Sequence, residues 1–333
     1  KLEAIPWVYA EIIRVLADHE AVEILCHDHD VMERARVVLA AHAVRLDRVT
    51  LHEVATDRVW LRDSAPTGVI DTRGDLVDRQ GGPVLLDWAF NGWAKYPNWQ
   101  QDAGVGPAMA RLRGLRREEP RLADTNAHIV LEGGGIDVNG QGLLLVTEEW
   151  LLSDVQVRNP GLWRADYERI FHEWLGVRRT IWLGAGCLGD DTHGHIDDVA
   201  RFVSADTVVV AVEDDPTDGN HAASMDNLRR LELASRDAEV GPLSIVRLPF
   251  PRPVFMNGER LPASYANFYI ANGLVLVPTF NDPNDRVALN TLATLMPAHR
   301  IVGIHAVDLV WGLGTLHCLT QQETARQDGA TVR

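Results

Sequence analysis

Apolar positions along the chain switch repeatedly between helical and extended spacing. A helical stretch over residues 6–18 is followed by a short extended run, AVEILC, and by a second helix in which Val31, Ala35, Val38 and Leu39 share one stripe. VTLHEV is extended and leads into TDRVWLRDSAPTGVID, where Trp60, Arg62 and Asp63 precede a proline turn and another strand. VLLDWAFNGWAKYPNW, punctuated by Gly and Pro, reads as a loop before a helix over residues 101–117. Then come two extended stretches joined across Asn139 and Gly140, a helix near residues 164–175, and the strand TIWL. HIDDVARFV reads as extended, which sends His195, Asp197 and Val199 to one face and Ile196 and Asp198 to the other. TVVVAV is a buried strand, HAASMDNLRRLELASRDA is helical, and SIVRLPFPRP is a strand closed by prolines. A second hairpin turns at Asn272 and Gly273, and Asp282-Pro283-Asn284 then opens a helix with Ala288, Leu292, Leu295 and Met296 on one face. RIVGIHAVDL, a final strand, runs into GLGTLHCLTQQ.

Composition narrows the class. With 333 residues and 46% hydrophobic content the chain can bury a large core, and the lack of any low-complexity linker favours one domain over 1–333 rather than two. A net charge of −15 argues against a nucleic acid or an anionic membrane as partner and suits a cationic substrate. Three cysteines make no disulfide framework. With neither a membrane-length apolar run nor a signal peptide, the expected location is the cytoplasm. The first residue is Lys1 rather than methionine, so a segment is expected to be missing from the start.

Chemistry gathers at a few points. Cys318 lies in a glycine-rich turn near the end of the chain; Gly312 and Gly314 would let backbone pass close to a ligand, and Thr320 to Gln322 would hydrogen-bond a buried chain end. A lone cysteine is often only a small core residue, and what argues for a nucleophile is the company it keeps. Glu132 opens a triple glycine, which fits either a plain turn or a close backbone approach to something. His193 and His195 lack an obvious third ligand at suitable spacing, so no metal is expected. Trp88, Trp93 and Trp99 fit either surface anchors or a pocket lid. Asp63, Glu132, His195, Asn267 and Cys318 recur at intervals of about 50 to 70 residues, each near a strand, which suggests repeated mixed units around a shared centre.

WLRD, LEGG, GHIDDVARF, NFYIANGLVLVPTFNDPND and HCLTQQ, in this order over about residues 5–323, resemble the agmatine deiminase family, related to the Porphyromonas-type peptidylarginine deiminases. The resemblance implies the α/β pentein fold, a five-bladed pseudo-symmetric propeller of ββαβ-type units with the active site in the central channel. It implies Cys318 as nucleophile, His195 as general acid and base, Asp63 and Asp197 as guanidinium-binding carboxylates, and Glu132 as the residue that orients the histidine. Trp60, Asp191, Asn267 and Trp93 would complete the substrate site, Trp60 packing against the ligand and Asp191 standing where relatives often carry a glutamate. Ser64, Asp137 and Thr315 depart from the commoner residues of these motifs, and a TWMAWP-like N-terminal stretch of the family is absent. The family is compatible with a homo-oligomer.

A guanidinium carbon is a poor electrophile because its charge is spread over three nitrogens. Two carboxylates can fix the cation in plane, and a thiolate can attack it. The same carboxylates are expected to raise the thiol pKa until substrate binds. The expected activity is hydrolysis of agmatine to N-carbamoylputrescine and ammonia, with no metal or organic cofactor. Deimination of free or peptidyl arginine, amidino transfer to an amine, and guanidine binding without catalysis stay open as alternatives. A cysteine peptidase fits less well, because paired carboxylates suit a cation better than a neutral amide.

Overall fold

The computed structural model describes residues 2–70 and 83–324; the one-domain expectation over 1–333 therefore extends beyond the described residues. α1 (Ile5–Leu16), with a proline in its first turn, buries Ala10, Ile12, Ile13, Val15 and Leu16. β1 (Val22–Cys26), α2 (His29–Ala41) and β2 (Val49–Glu53) follow, with β1 and β2 parallel. The side chain of Asp28 caps α2 by accepting the Val31 N–H at 2.8 Å.

One pattern then repeats four times: two antiparallel strands, a helical crossover, and a third strand parallel to the second. The first instance has α3 (Leu61–Ser64), β3 (Thr67–Val69), β4 (Val84–Leu86), α4 (Val105–Arg113) and β5 (Arg117–Glu118). Next are β6 (Asp137–Val138), β7 (Leu143–Thr147), α5 (Glu148–Leu152), α6 (Arg164–Leu175) and β8 (Arg179–Leu183). The third comprises β9 (Ala200–Phe202), β10 (Thr207–Val212), α7 (His221–Ala234) and β11 (Ser244–Pro249). After a small hairpin of β12 (Phe255–Met256) and β13 (Glu259–Arg260) comes the last: β14 (Tyr269–Ala271), β15 (Leu274–Thr279), α8 (Pro283–Leu295) and β16 (Arg300–His305). α9 (Leu316–Leu319) ends the described elements. The middle strands β7, β10 and β15 are near-continuous apolar runs because both of their faces are covered.

This repetition explains the spacing of the chemical residues. Asp63, Glu132, His195 with Asp197, and Asn267 each lie in the segment just before the first strand of a unit, and Cys318 follows the last strand of the fourth. The residues singled out in the sequence thus occupy corresponding places in successive units.

Several local expectations change. HIDDVARFV is not one strand: Ile196–Asp198 form a 3-10 turn and only Ala200–Phe202 pair with β10. Alternation misleads there because Ile196, Asp197 and Asp198 are all buried, so polarity does not report which face is outside. The segment read as a loop after residue 83 begins with β4, and the helix expected to reach residue 117 stops at a left-handed Gly114, leaving Arg117 and Glu118 to β5. The Asn139 turn is longer than two residues, since Asn139 N–H donates to the Leu143 carbonyl while its Oδ1 accepts from Gln141 and Leu143. At Asn272–Gly273 the two-residue turn holds, with Ala271 opposite Leu274 and Gly273 at φ +67°.

Candidate active site

Cys318 sits on α9, one turn of helix that follows a chain reversal through Leu313 at φ +70°. The room given by Gly312 and Gly314 is taken by protein rather than left for a ligand: a Cβ at either would lie 2.8–2.9 Å from the Trp60 ring. Trp60 therefore lies against the cysteine turn. The thiol is buried, and Asn267 Nδ2 donates to its sulfur at 3.2 Å. Asn267 Oδ1 in turn accepts from Thr315 Oγ1 at 2.7 Å and from the His317 N–H at 3.1 Å, so one amide fixes the whole turn. Behind it, Arg62 donates to the His317 carbonyl and to Gln321 and Gln322, which ties α3 to the HCLTQQ segment.

Facing the thiol is the glycine run that follows Glu132. Each glycine makes room for different neighbours: Gly133 for the Arg62 carbonyl, Gly135 for the Trp150 ring, and Gly134 for the His195, Asp63 and Asp197 side chains. A Cβ on Gly134 would stand 2.6 Å from His195 Nδ1, 2.8 Å from Asp63 Oδ1 and 3.2 Å from Asp197 Oδ2. Two carboxylates and an imidazole thus converge on one small space. The Gly134 N–H and the Trp93 indole hold the Asp63 oxygens, each at 2.9 Å. Asp197 Oδ2 is 3.6 Å from Cys318 Sγ and 2.7 Å from His317 Nδ1. Its Oδ1 is buried with no hydrogen-bond partner among the described residues.

His195 lies between carboxylates, its Nδ1 3.7 Å from Asp63 and its Nε2 3.7 Å from Glu132. Glu132 is anchored by closer donors, Trp150 Nε1 at 2.7 Å and Arg158 Nε at 2.9 Å. Asp190 accepts the backbone N–H of Gly194 and of His195, which sets the imidazole's position.

Burial and charge tune these groups against one another. Burial opposes the charged imidazole, yet Asp63 and Glu132 raise the His195 pKa to about 9, so the ring is an imidazolium at neutral pH. Burial also opposes ionisation of Glu132, but the charge of Arg158 and the pull of His195 hold its pKa at about 2. The Asp197 carboxyl is pushed up to about 7, mainly by burial. Asp63 is raised too, again by burial first. Burial, and then the charges of Asp197, Asp198 and Asp63, push the Cys318 thiol well above its ordinary value. The resting site pairs an imidazolium with a protonated thiol.

Asp63, Glu132, His195, Asp197, Asn267 and Cys318 all meet here, with Trp93 on Asp63 and Trp60 against the cysteine turn. Asp191 stands farther out, on Lys95 and on the Tyr96 hydroxyl at 2.6 Å. Between it and Asp63 lie the Trp93 and Tyr96 rings, 6.0 Å apart. Trp88 donates to Thr67 instead, and His193 is tied to Ser153. Of the motif departures, Asp137 pairs with the buried Arg201 and Thr315 bonds Asn267; Ser64, among the described residues, makes a long contact with the Trp60 carbonyl. Sequence reading missed Arg158, Trp150 and His317. Nothing local marks the first two, which reach Glu132 only through the fold, whereas His317 adjoins the cysteine and was open to notice.

The Porphyromonas-type peptidyl-arginine deiminase family model matches residues 1–323. A putative agmatine deiminase of Latilactobacillus sakei is 36% identical, over 94% of this chain and 86% of that protein. Agmatine deiminase of Pseudomonas aeruginosa is 34% identical, over 95% and 86%. Among solved structures, agmatine deiminase of Enterococcus faecalis superposes with a TM-score of 0.85 at 29% identity, over 98% of this chain and 89% of that one. The C. jejuni agmatine deiminase with substrate bound gives 0.83 at 26%, over 96% and 87%. These relatives share the pentein arrangement of the repeated units described above. By sequence and by fold, this chain belongs to the Porphyromonas-type peptidyl-arginine deiminase family.

Proposed function

We propose that the protein is a guanidine iminohydrolase that converts agmatine and water to N-carbamoylputrescine and ammonia. The observation that carries this reading is the convergence of Asp63, Asp197 and His195 on the space opened by Gly134, with the Cys318 sulfur 3.6 Å from Asp197. A planar cation donates forked N–H hydrogen bonds to two carboxylates, and its arrival relieves the repulsion that keeps the thiol protonated. Cys318 then releases its proton to solvent and adds to the guanidinium carbon. His195, charged beforehand, protonates the departing nitrogen, which leaves as ammonia, and an S-alkylthiouronium remains on Cys318. The neutral imidazole takes a proton from water as that water attacks. Cleavage of the C–S bond releases the ureido product and restores the thiol. Glu132, held by Arg158 and Trp150, keeps the imidazole charged between turnovers.

The curated relatives at 34–36% identity carry the name agmatine deiminase, and the cations near the site favour a substrate without a carboxylate. Arg62 is spent on the His317 carbonyl and two glutamines, Arg58 on Asn98 and Asp102, and Arg286 is exposed on α8. Lys95 is spent on Asp191, and an ammonium at the far end of the substrate would take that lysine's place on the carboxylate. The test is release of ammonia and ureido product from agmatine, arginine and a peptidyl-arginine, with Cys318→Ala beside the unaltered enzyme. Agmatine is expected to be preferred and the variant inert; a preference for arginine would discard the substrate and keep the chemistry.

A further inference from the structure

Asp197 differs from Asp63 in how it is held. Asp63 is fixed by a backbone N–H and an indole, whereas Asp197 Oδ2 is held by His317 Nδ1, the neighbour of the nucleophile, at 2.7 Å, with the Cys318 thiol a longer 3.6 Å away. Both residues are buried, and Asp197 Oδ1 is left without a partner among the described residues. The His317 backbone is itself pinned, its N–H shared between the carbonyl and Oδ1 of Asn267 and its carbonyl accepting from Arg62. We propose that His317 is a positioning residue: its Nδ1–H binds Asp197 Oδ2, fixes the plane of the carboxylate and keeps it ionised, so that Oδ1 is free for a guanidinium N–H. This rests on the guanidine-hydrolase reading above.

The charges around the pair agree. Cys318, His195, Asp63, Asp190, Asp198 and Arg201 act on Asp197, while Arg201, Arg62 and His195 act on His317. Burial, followed by those three cations, depresses the His317 pKa well below its usual value, so it serves as a neutral donor rather than a second imidazolium. A neutral donor supports the carboxylate without neutralising it, and leaves the full negative charge for the substrate.

The experiment titrates agmatine, and separately arginine, into Cys318→Ala, which cannot turn over, and into the same protein also carrying His317→Ala or His317→Asn. Binding is followed by calorimetry from mildly acidic to mildly basic pH, beside thermal denaturation. His317→Ala is expected to weaken guanidine binding by about tenfold to a hundredfold, the worth of one hydrogen bond to a charged group. It should also move the acidic limb of binding to higher pH, because Asp197 without its donor protonates more readily. His317→Asn, whose Nδ2–H can stand near the place of Nδ1–H, is expected to restore most of both. The proposal is overturned if the limb stays put in His317→Ala, or if the asparagine variant is as impaired as the alanine one while folding normally. Should arginine bind and agmatine not, the substrate reading fails and the same comparison is made on arginine. If Cys318→Ala binds neither guanidine, both ideas fall.

Discussion

Burying an imidazole ordinarily discharges it, yet His195 is held at a pKa of about 9 by Asp63 and Glu132 on its two sides. Burying a glutamate ordinarily protonates it, and Glu132 escapes this because Arg158 is buried against it, in a place where an unpaired charge would cost about 3–5 kcal/mol. The consequence is a defined pH window. Free enzyme competent for a cation needs Asp197 ionised, and kcat/KM should fall as pH drops through about 7, where Asp197 gains its proton. It should fall again as pH rises through about 9, where His195 loses the proton that the proposed mechanism delivers to the leaving group. Both limbs belong to the coupled cluster rather than to single residues. Glu132→Gln removes the charge that raises His195, so its alkaline limb should move to lower pH; an unmoved limb in steady-state profiles would separate Glu132 from the acid. At this scale the sequence singles out Asp63, Glu132, His195, Asp197 and Cys318, most of them through ordered motifs, and the structure brings these five side chains together. Arg158 and Trp150 were not legible, because a residue that acts only by touching Glu132 across the fold leaves no pattern near it.

Among the elements, the 3-10 turn of Gly133–Gly135 brings backbone against His195, Asp63 and Asp197. Gly134→Ala puts a methyl 2.6 Å from His195 Nδ1 and 2.8 Å from Asp63 Oδ1, closer than any packed carbon tolerates. We expect kcat/KM to fall by about a hundredfold or more, since misplacement of catalytic groups by an ångström costs that much. Gly104→Ala, with nothing within 4 Å of the new carbon, should leave kinetics unchanged. Side-by-side assays check both, and an active Gly134→Ala would contradict the placement of the ligand. Elements with a strong local signal were read well: the Asn272–Gly273 hairpin, and α8 opened by Asp282, whose side chain accepts from Asn284 while Asp285 reaches back to the Asp282 N–H. The turn at Ile196–Asp198 was misread because a fully buried segment has no polar outer face to set a period. β4 was missed because three residues are too few to show alternation before the aromatic loop begins.

For the whole molecule, the repeated unit accounts for how residues more than 250 positions apart share one site. Asp63 and Cys318 come from opposite ends of the described chain, and Arg62 joins those ends directly through Gln321 and Gln322. The spacing of these residues hinted at this architecture, but a rhythm of 50 to 70 residues does not by itself bring the units together; the contacts of Asp63 with Gly134, of Asp197 with Cys318 and of Asn267 with Cys318 do. The central claim is that carbon–nitrogen cleavage proceeds through a bond to Cys318. Its most direct test is to quench the enzyme in acid during turnover of agmatine and to map the mass of its peptides. An adduct of agmatine less ammonia on the peptide that contains Cys318, formed and lost as fast as product appears, is the predicted result. Product accumulating with no adduct, or with an adduct on any other residue, would contradict the account.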